Sequence, residues 1–212
     1  RALSSVADSL GRINAWLKAN NLDDNAAVIL MGDNGFMFGE HGLIDKRNAY
    51  EESMRVPLLA YIPGAKQDYV VEEMAANIDI APTILDIAGI KKQPAQFAGA
   101  SLLQLAKGEK VDGWRDSLLY EYYWEFNFPS TPTTFAIRSD NFKLIQYHGI
   151  WDTDELYDIK NDPQEMRNLI DDPRYINVKL DLRKALYQRL ADGGGYSVPY
   201  TKKFSTGAVF RQ

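Results

Sequence analysis

The sequence predicts an α/β fold: a mixed sheet with helices, followed by a small antiparallel-sheet subdomain that carries a terminal helix. Three observations predict it. Leu3, Val6, Leu10, Ile13, Trp16 and Leu17 recur at the three- and four-residue spacing of an amphipathic helix over residues 3–19. Residues 26–31 then form an apolar run without alternation, closed by Gly32-Asp33-Asn34-Gly35; such a run suits a strand buried on both faces, as in a parallel sheet. After residue 113 the texture changes to short aromatic and β-branched stretches between turn residues. The expected organisation is a first part over residues 1–113 and a C-terminal subdomain over 114–212, with sheet, helix and tail.

Each element has its own signal. Asn20-Asn21 and Asp23-Asp24 end the first helix. A second apolar run, Val56 to Ile62, stops at Pro63-Gly64, with Pro57 near its start where a missing N–H is tolerable. Residues 79–89 read as a short helix, with Pro82 in its first turn and Gly89 as its stop. Residues 91–113 read as a mixed loop. Strands are expected over Ser117 to Tyr123, Thr133 to Ile137, Phe142 to Tyr147 and Glu155 to Tyr157, with Ser139-Asp140-Asn141 turning a hairpin. Residues 173–192 place Leu180, Leu182, Leu186 and Leu190 among charges, an amphipathic helix, and an extended tail follows from Gly193.

Composition narrows the function. The chain has 212 residues, of which 45% are hydrophobic, so a packed core can form. The net charge of −5, without a basic block, argues against nucleic acid as the main partner, because phosphate binding needs clustered Lys and Arg. There is no cysteine, hence no disulfide, thiolate zinc site or cysteine nucleophile. His41 and His148 are the only histidines, too few for a His-rich zinc site. No stretch approaches the apolar length of a membrane span. The chain opens inside a helical pattern at Arg1-Ala2-Leu3, and a missing N-terminal part of the same protein is expected.

The densest polar stretch follows the first apolar run. Ligands of open α/β sheets bind beyond the carboxyl ends of strands, which is where this loop sits. Asp33 and Asn34 are adjacent oxygen donors, suited to Ca²⁺ or Mg²⁺, but two are too few for a complete site. Lys46 is a compact cation able to neutralise an anionic oxygen, and His41 can donate a hydrogen bond or a proton. Plainer readings stand beside these. Asp-Asn-Gly makes a turn without any chemistry, Lys46 can be a solvated charge, and His41 an ordinary loop residue.

Several ordered motifs carry a family resemblance. Asp33-Asn34-Gly35, Gly39-Glu40-His41-Gly42-Leu43, Asp45-Lys46, Tyr50-Glu51-Glu52-Ser53 and Arg55-Val56-Pro57-Leu58 resemble the C-terminal half of a type I sulfatase, of the alkaline phosphatase superfamily. Residues 77–86, Gly99-Ala100-Ser101-Leu102, Phe142-Lys143-Leu144-Ile145, Glu155-Leu156-Tyr157-Asp158, Asp162-Pro163-Gln164-Glu165 and Asn168-Leu169 continue the likeness in family order, up to about residue 192. It implies part of a sulfatase-type mixed sheet and a calcium-dependent sulfuric ester hydrolase. Asp33 and Asn34 would be calcium ligands, Lys46 would bind sulfate oxygens, and His41 would lie close to the site. The family's nucleophile is a formylglycine made from Cys or Ser in a Cys/Ser-x-Pro-x-Arg motif, whose hydrated form attacks sulfur. No such motif exists here; Ser130-Thr131-Pro132-Thr133 lacks the arginine. The formylglycine and the other calcium ligands are therefore expected upstream, and this chain is expected to be inactive alone. Export to the periplasm or the extracellular space is the location the family suggests.

Other residues remain open. Asp79 reads best as a helix-start residue. His148 and Trp151 flank the end of a strand and suit a sugar, as substrate-binding residues, or a packing staple. Tyr122, Tyr123, Trp124 and Phe126 are expected to pack the small sheet, with Glu125 beside them. Residues 128–133 and 147–152 look most like bacterial glycan sulfatases such as N-acetylglucosamine-6-sulfatases, so a sulfated carbohydrate is the expected substrate. The alternatives are a phosphate or phosphonate ester hydrolase of the same superfamily and a non-catalytic binding module.

Overall fold

A computed structural model describes residues 2–91, 94, 96–148 and 153–195. It divides into two compact units, one of residues 1–46 and 52–118, the other of 47–51 and 119–212. Five residues of the second unit therefore come from within the sequence of the first.

The first unit opens with helix α1 (Ala2–Ala19). Its end is a left-handed cap: Asn21 takes φ 54°, and the Leu22 N–H donates back to the Leu17 carbonyl at 2.9 Å. Asparagine tolerates that conformation, which satisfies carbonyls left over in the last turn. Strand β1 (Val28–Met31) pairs antiparallel with β2 (Leu58–Tyr61), Val28 opposite Tyr61 and Met31 opposite Leu58. This corrects the parallel, doubly buried strand expected from the apolar run. Among the described residues β1 has β2 as its only ladder partner, and its side chains are half-buried.

Helix α2 (Glu51–Met54) precedes β2, and α3 (Ile80–Ile87) carries Pro82 in its first turn and stops at Gly89 in the left-handed region, as expected. The stretch read as loop contains one short helix, α4 (Leu103–Ala106). Asp79 does sit at the start of α3, where its carboxylate accepts the Ala76 N–H at 2.8 Å. It also accepts the Ala100 N–H at 2.9 Å and a two-pronged pair from the Arg115 guanidinium. The carboxylate is fully buried, and the fork of Arg115 matches its two oxygens.

The second unit is built on an antiparallel sheet whose first strand starts in the last two residues of the first unit, in the order β3 (Ser117–Tyr122), β4 (Thr134–Ser139), β5 (Phe142–Tyr147), β6 (Glu155–Asp158). Ser139 turns the β4–β5 hairpin, its hydroxyl bonded to both the N–H and the carbonyl of Phe142. Helix α5 (Ile176–Gly193) follows a turn capped by the Asp172 carboxylate, which accepts the Arg174 N–H at 3.0 Å. Gly194, left-handed at φ 75°, ends it. Leu182, Leu186 and Leu190, one turn apart, are buried against Ile137, Leu144, Leu156, Leu169 and Ile170. Leu180 lies off that stripe and is exposed. Tyr123 meets Phe135 edge-on, but Trp124 and Phe126 are 52% and 64% exposed rather than packed on the sheet.

Candidate active site

The polar loop after β1 is not a tight turn: the chain leaves β1 at Met31 and returns as β2 only at Leu58. Gly35 fixes its first bend. The Gly35 N–H donates to the Ser53 carbonyl at 2.8 Å, and a Cβ there would lie 1.8 Å from the Glu52 carbonyl oxygen, so only glycine allows the approach. Met37 is fully buried and its N–H bonds the Asp45 carbonyl at 2.9 Å, which draws the two arms of the loop together.

The closed arms bring Asn34 and Lys46 into contact. Lys46 Nζ donates to Asn34 Oδ1 at 3.0 Å, and the Asn34 amide N–H₂ donates to the Gly35 carbonyl at 2.7 Å, which defines which end of the amide faces the lysine. The Lys46 backbone N–H bonds the Asp45 carboxylate at 2.7 Å. Asp33 is anchored by its carbonyl, which accepts the side-chain amide of Asn77. Asp33, Asn34 and Lys46 are all exposed.

His41 occupies the tip of the loop in the left-handed region, at φ 52°, an uncommon state for a histidine. Its ring is half-buried, with Nε2 3.9 Å from a Glu52 carboxylate oxygen. Neighbouring Glu40 accepts the Phe38 N–H at 2.5 Å, and the Glu40 and Phe38 backbone N–H groups hold its carboxyl below the usual range.

The remaining sequence candidates lie in the second unit. His148 is exposed at the end of β5, its backbone N–H bonded to the Thr133 carbonyl at 2.8 Å. Trp151 falls outside the described residues. The second unit also holds two ionic clusters that the sequence reading missed. Glu155 accepts the phenol hydroxyls of Tyr50, Tyr147 and Tyr157 at 2.8–3.1 Å. Burial first, then the charge of Glu155, pushes the Tyr50 phenol up to about 12 and those of Tyr147 and Tyr157 further. Lys143, fully buried, lies 2.7 Å from both Glu51 and Glu165, and Arg138 reaches Glu51 at 3.3 Å. Burial alone raises both carboxyls. For Glu51 the two cations reverse this, and it sits below its ordinary value; for Glu165 burial wins, and it sits above. A lysine within a strand and a tyrosine near a helix give no periodic signal, so only the fold reveals these partners.

Chemically, the first-unit site offers two oxygen donors side by side, a fixed ammonium on one of them, and a histidine at the loop tip. That set suits an oxyanion and a hard cation. The family described as N-sulphoglucosamine sulphohydrolase, C-terminal, matches residues 39–192. An N-acetylglucosamine-6-O-sulfatase of Bacteroides thetaiotaomicron is 35% identical over 185 residues, which is 86% of this chain and 33% of that protein. A solved structure in complex with its substrate D-glucosamine-2-N,6-O-disulfate superposes with a TM-score of 0.84 at 33% identity, over 91% of this chain and 40% of that one. A phosphonate monoester hydrolase of Agrobacterium radiobacter superposes with a TM-score of 0.79 at 27% identity, over 89% and 40%. The chain thus spans about a third of the length of that curated relative.

Proposed function

The chain belongs to the N-sulphoglucosamine sulphohydrolase C-terminal family, and from that premise we propose that it is the C-terminal part of a calcium-dependent sulfatase acting on a sulfated carbohydrate. The observation that carries this reading is the Lys46 ammonium 3.0 Å from the Asn34 amide oxygen, next to the exposed Asp33, at the end of β1. Both donors are hard oxygens, and Asn34 Oδ1 already faces a cation, so the residues present fit calcium in kind. Calcium takes about six to eight oxygens, so Asp33 and Asn34 would supply only part of its coordination sphere. When bound, calcium would supply charge stabilisation to the sulfate oxygens.

This chain's own residues then divide the work. Asp33 and Asn34 would hold the cation. Lys46 binds a sulfate oxygen and keeps a positive charge where negative charge develops as the ester S–O bond breaks. His41, at the loop tip, would lie close to the site as a hydrogen-bond or proton donor. His148 and Trp151 contact the sugar. The formylglycine nucleophile lies outside this chain, which is therefore inactive alone. An exported location suits a glycan substrate; no helix among the described residues is long and apolar enough to cross a membrane.

The likeness to a phosphonate monoester hydrolase supports a second reading, hydrolysis of a phosphate or phosphonate ester. One assay separates the two: the full-length protein with N-acetylglucosamine-6-sulfate and with a phosphonate monoester, each with and without a calcium chelator. The proposal expects chelator-sensitive sulfate release. Turnover of the phosphonate alone favours the second reading, and no turnover of either favours a binding module. In the same protein Asp33→Ala is expected to weaken calcium binding in a direct titration by at least about tenfold, in the range of lost ligand-sphere groups. An unchanged titration removes Asp33 from the ligand set.

A further inference from the structure

We propose that Glu52 is a positioning residue: through its contact with His41 it ties the tip of the polar loop to the segment that brackets Asp33 and Asn34. This rests on the roles given above to Asp33, Asn34 and Lys46. Every residue involved belongs to the first unit. The end of the loop runs back alongside its own beginning. The Gly32 N–H donates to the Pro57 carbonyl at 3.2 Å, and the Gly35 N–H to the Ser53 carbonyl at 2.8 Å. Asp33 and Asn34 thus lie between two backbone bonds to residues 53–57. Glu52 precedes that segment directly, and its carbonyl is the atom that leaves Gly35 no room for a Cβ. From this base the Glu52 side chain reaches the loop tip, with Oε2 3.9 Å from His41 Nε2.

Two observations make this contact more than a passing one. Glu52 Oε2 is buried and has no hydrogen-bond partner. A carboxylate oxygen in that state is costly unless a donor or an opposite charge faces it, and the imidazole Nε2 can be either. The backbone of the tip carries the second observation. His41 takes φ 52° between Gly39 at 129° and Gly42 at 73°. Glycine adopts such angles without steric cost, whereas a histidine keeps them only where its surroundings over-determine them. The pairing with Glu52 is a constraint of that kind, and the two side chains are only 12% and 25% exposed.

The path of the chain shows what the tie does for the site. Between Asn34 and Lys46 the loop runs out to His41 and back. The Met37 N–H on the Asp45 carbonyl closes its arms near the base, and His41 on Glu52 closes its tip. Lys46 Nζ meets Asn34 Oδ1 at 3.0 Å while both closures hold. Residues that orient ligands without binding the metal themselves are commonly worth tenfold to a hundredfold in affinity or activity.

The test uses Glu52→Gln in the full-length protein, a change that keeps the volume and removes the charge. Hydrogen exchange reads the tie without turnover: the Met37 and Leu43 amides are expected to lose protection. Calcium affinity and kcat are each expected to fall about tenfold, at little changed KM and with the melting temperature held. In a His41→Ala background the same substitution is expected to have no further effect. Full protection of both amides, wild-type kcat, or an equal loss with and without His41 overturns the proposal. A wild-type protein without chelator-sensitive sulfate release overturns the sulfatase reading instead, and the two amides still decide whether Glu52 holds the loop.

Discussion

The two units differ in where their helices and strands put apolar side chains. In the second, Ile137, Leu144 and Leu156 of the sheet close against Leu182, Leu186 and Leu190 of α5, and all are buried. In the first, α1 leaves Leu3, Ile13 and Trp16 at 85%, 51% and 60% exposure, and β2 leaves Leu59 at 62%. A contiguous exposed apolar face marks an interaction surface. The second unit thus carries its own core, whereas the first leaves large apolar side chains of α1 and β2 exposed. The charged groups follow the same division: the candidate site of the first unit lies on an exposed loop, and the second unit holds a buried cluster of Lys143 with Glu51 and Glu165.

Substitutions sharpen this contrast. The largest effect is expected from Lys143→Met, which leaves Glu51 and Glu165 buried with Arg138 as the remaining cation. Breaking such a pair costs about 3–5 kcal/mol, read as a lower urea midpoint. An unchanged midpoint would mean the cluster is hydrated and the contrast overstated. Leu144→Ala in β5 follows at about 2–5 kcal/mol. Trp16→Ala in α1 is its counterpart and is expected to stay within about 0.5 kcal/mol in this chain, as at other exposed sites. Equal costs for the two would erase the difference between the units.

A further effect is alkaline. Tyr50, Tyr147 and Tyr157 are raised from an ordinary value of 10.0, so the unfolded chain ionises first. Their contribution is fully present below pH 10 and is lost as pH rises through the folded values, about 12 for Tyr50. The urea midpoint of the chain should fall above pH 10, and Tyr50→Phe should flatten that fall. On the acid side the two carboxyls on Lys143 act in opposite directions. Glu51, lowered, contributes stability above its ordinary 4.5 that is lost as pH falls; Glu165, raised, contributes below 4.5 and loses it as pH rises.

Local signals in the sequence located the elements well and the partners poorly. Pro82 and Gly89 bracket α3 because each acts on its own backbone, and Asn20-Asn21 stop α1 for the same reason. The leucines of α5 were legible as a period, but only packing separates buried Leu182 from exposed Leu180. The apolar run of β1 announced a strand and not its neighbour; antiparallel pairing with β2 is decided by a segment that returns at Leu58. Of the candidate site, Asp33, Asn34 and Lys46 are legible as residue types on a loop and through family likeness. The contact between Asn34 and Lys46 depends on the Met37–Asp45 closure, which no spacing encodes. Arg115 on Asp79 and Lys143 on Glu51 and Glu165 were invisible for a related reason: ion pairs distant in sequence leave no periodic trace.

The most direct test of the central claim is turnover of N-acetylglucosamine-6-sulfate by the full-length enzyme with Lys46→Ala. A lone exposed cation contributes little to stability, so the melting temperature should hold. Loss of a charge that serves the transition state should lower kcat by roughly a hundredfold to a thousandfold. Wild-type kcat in a folded Lys46→Ala enzyme would contradict the assignment of this loop as the sulfate-binding half of the active site.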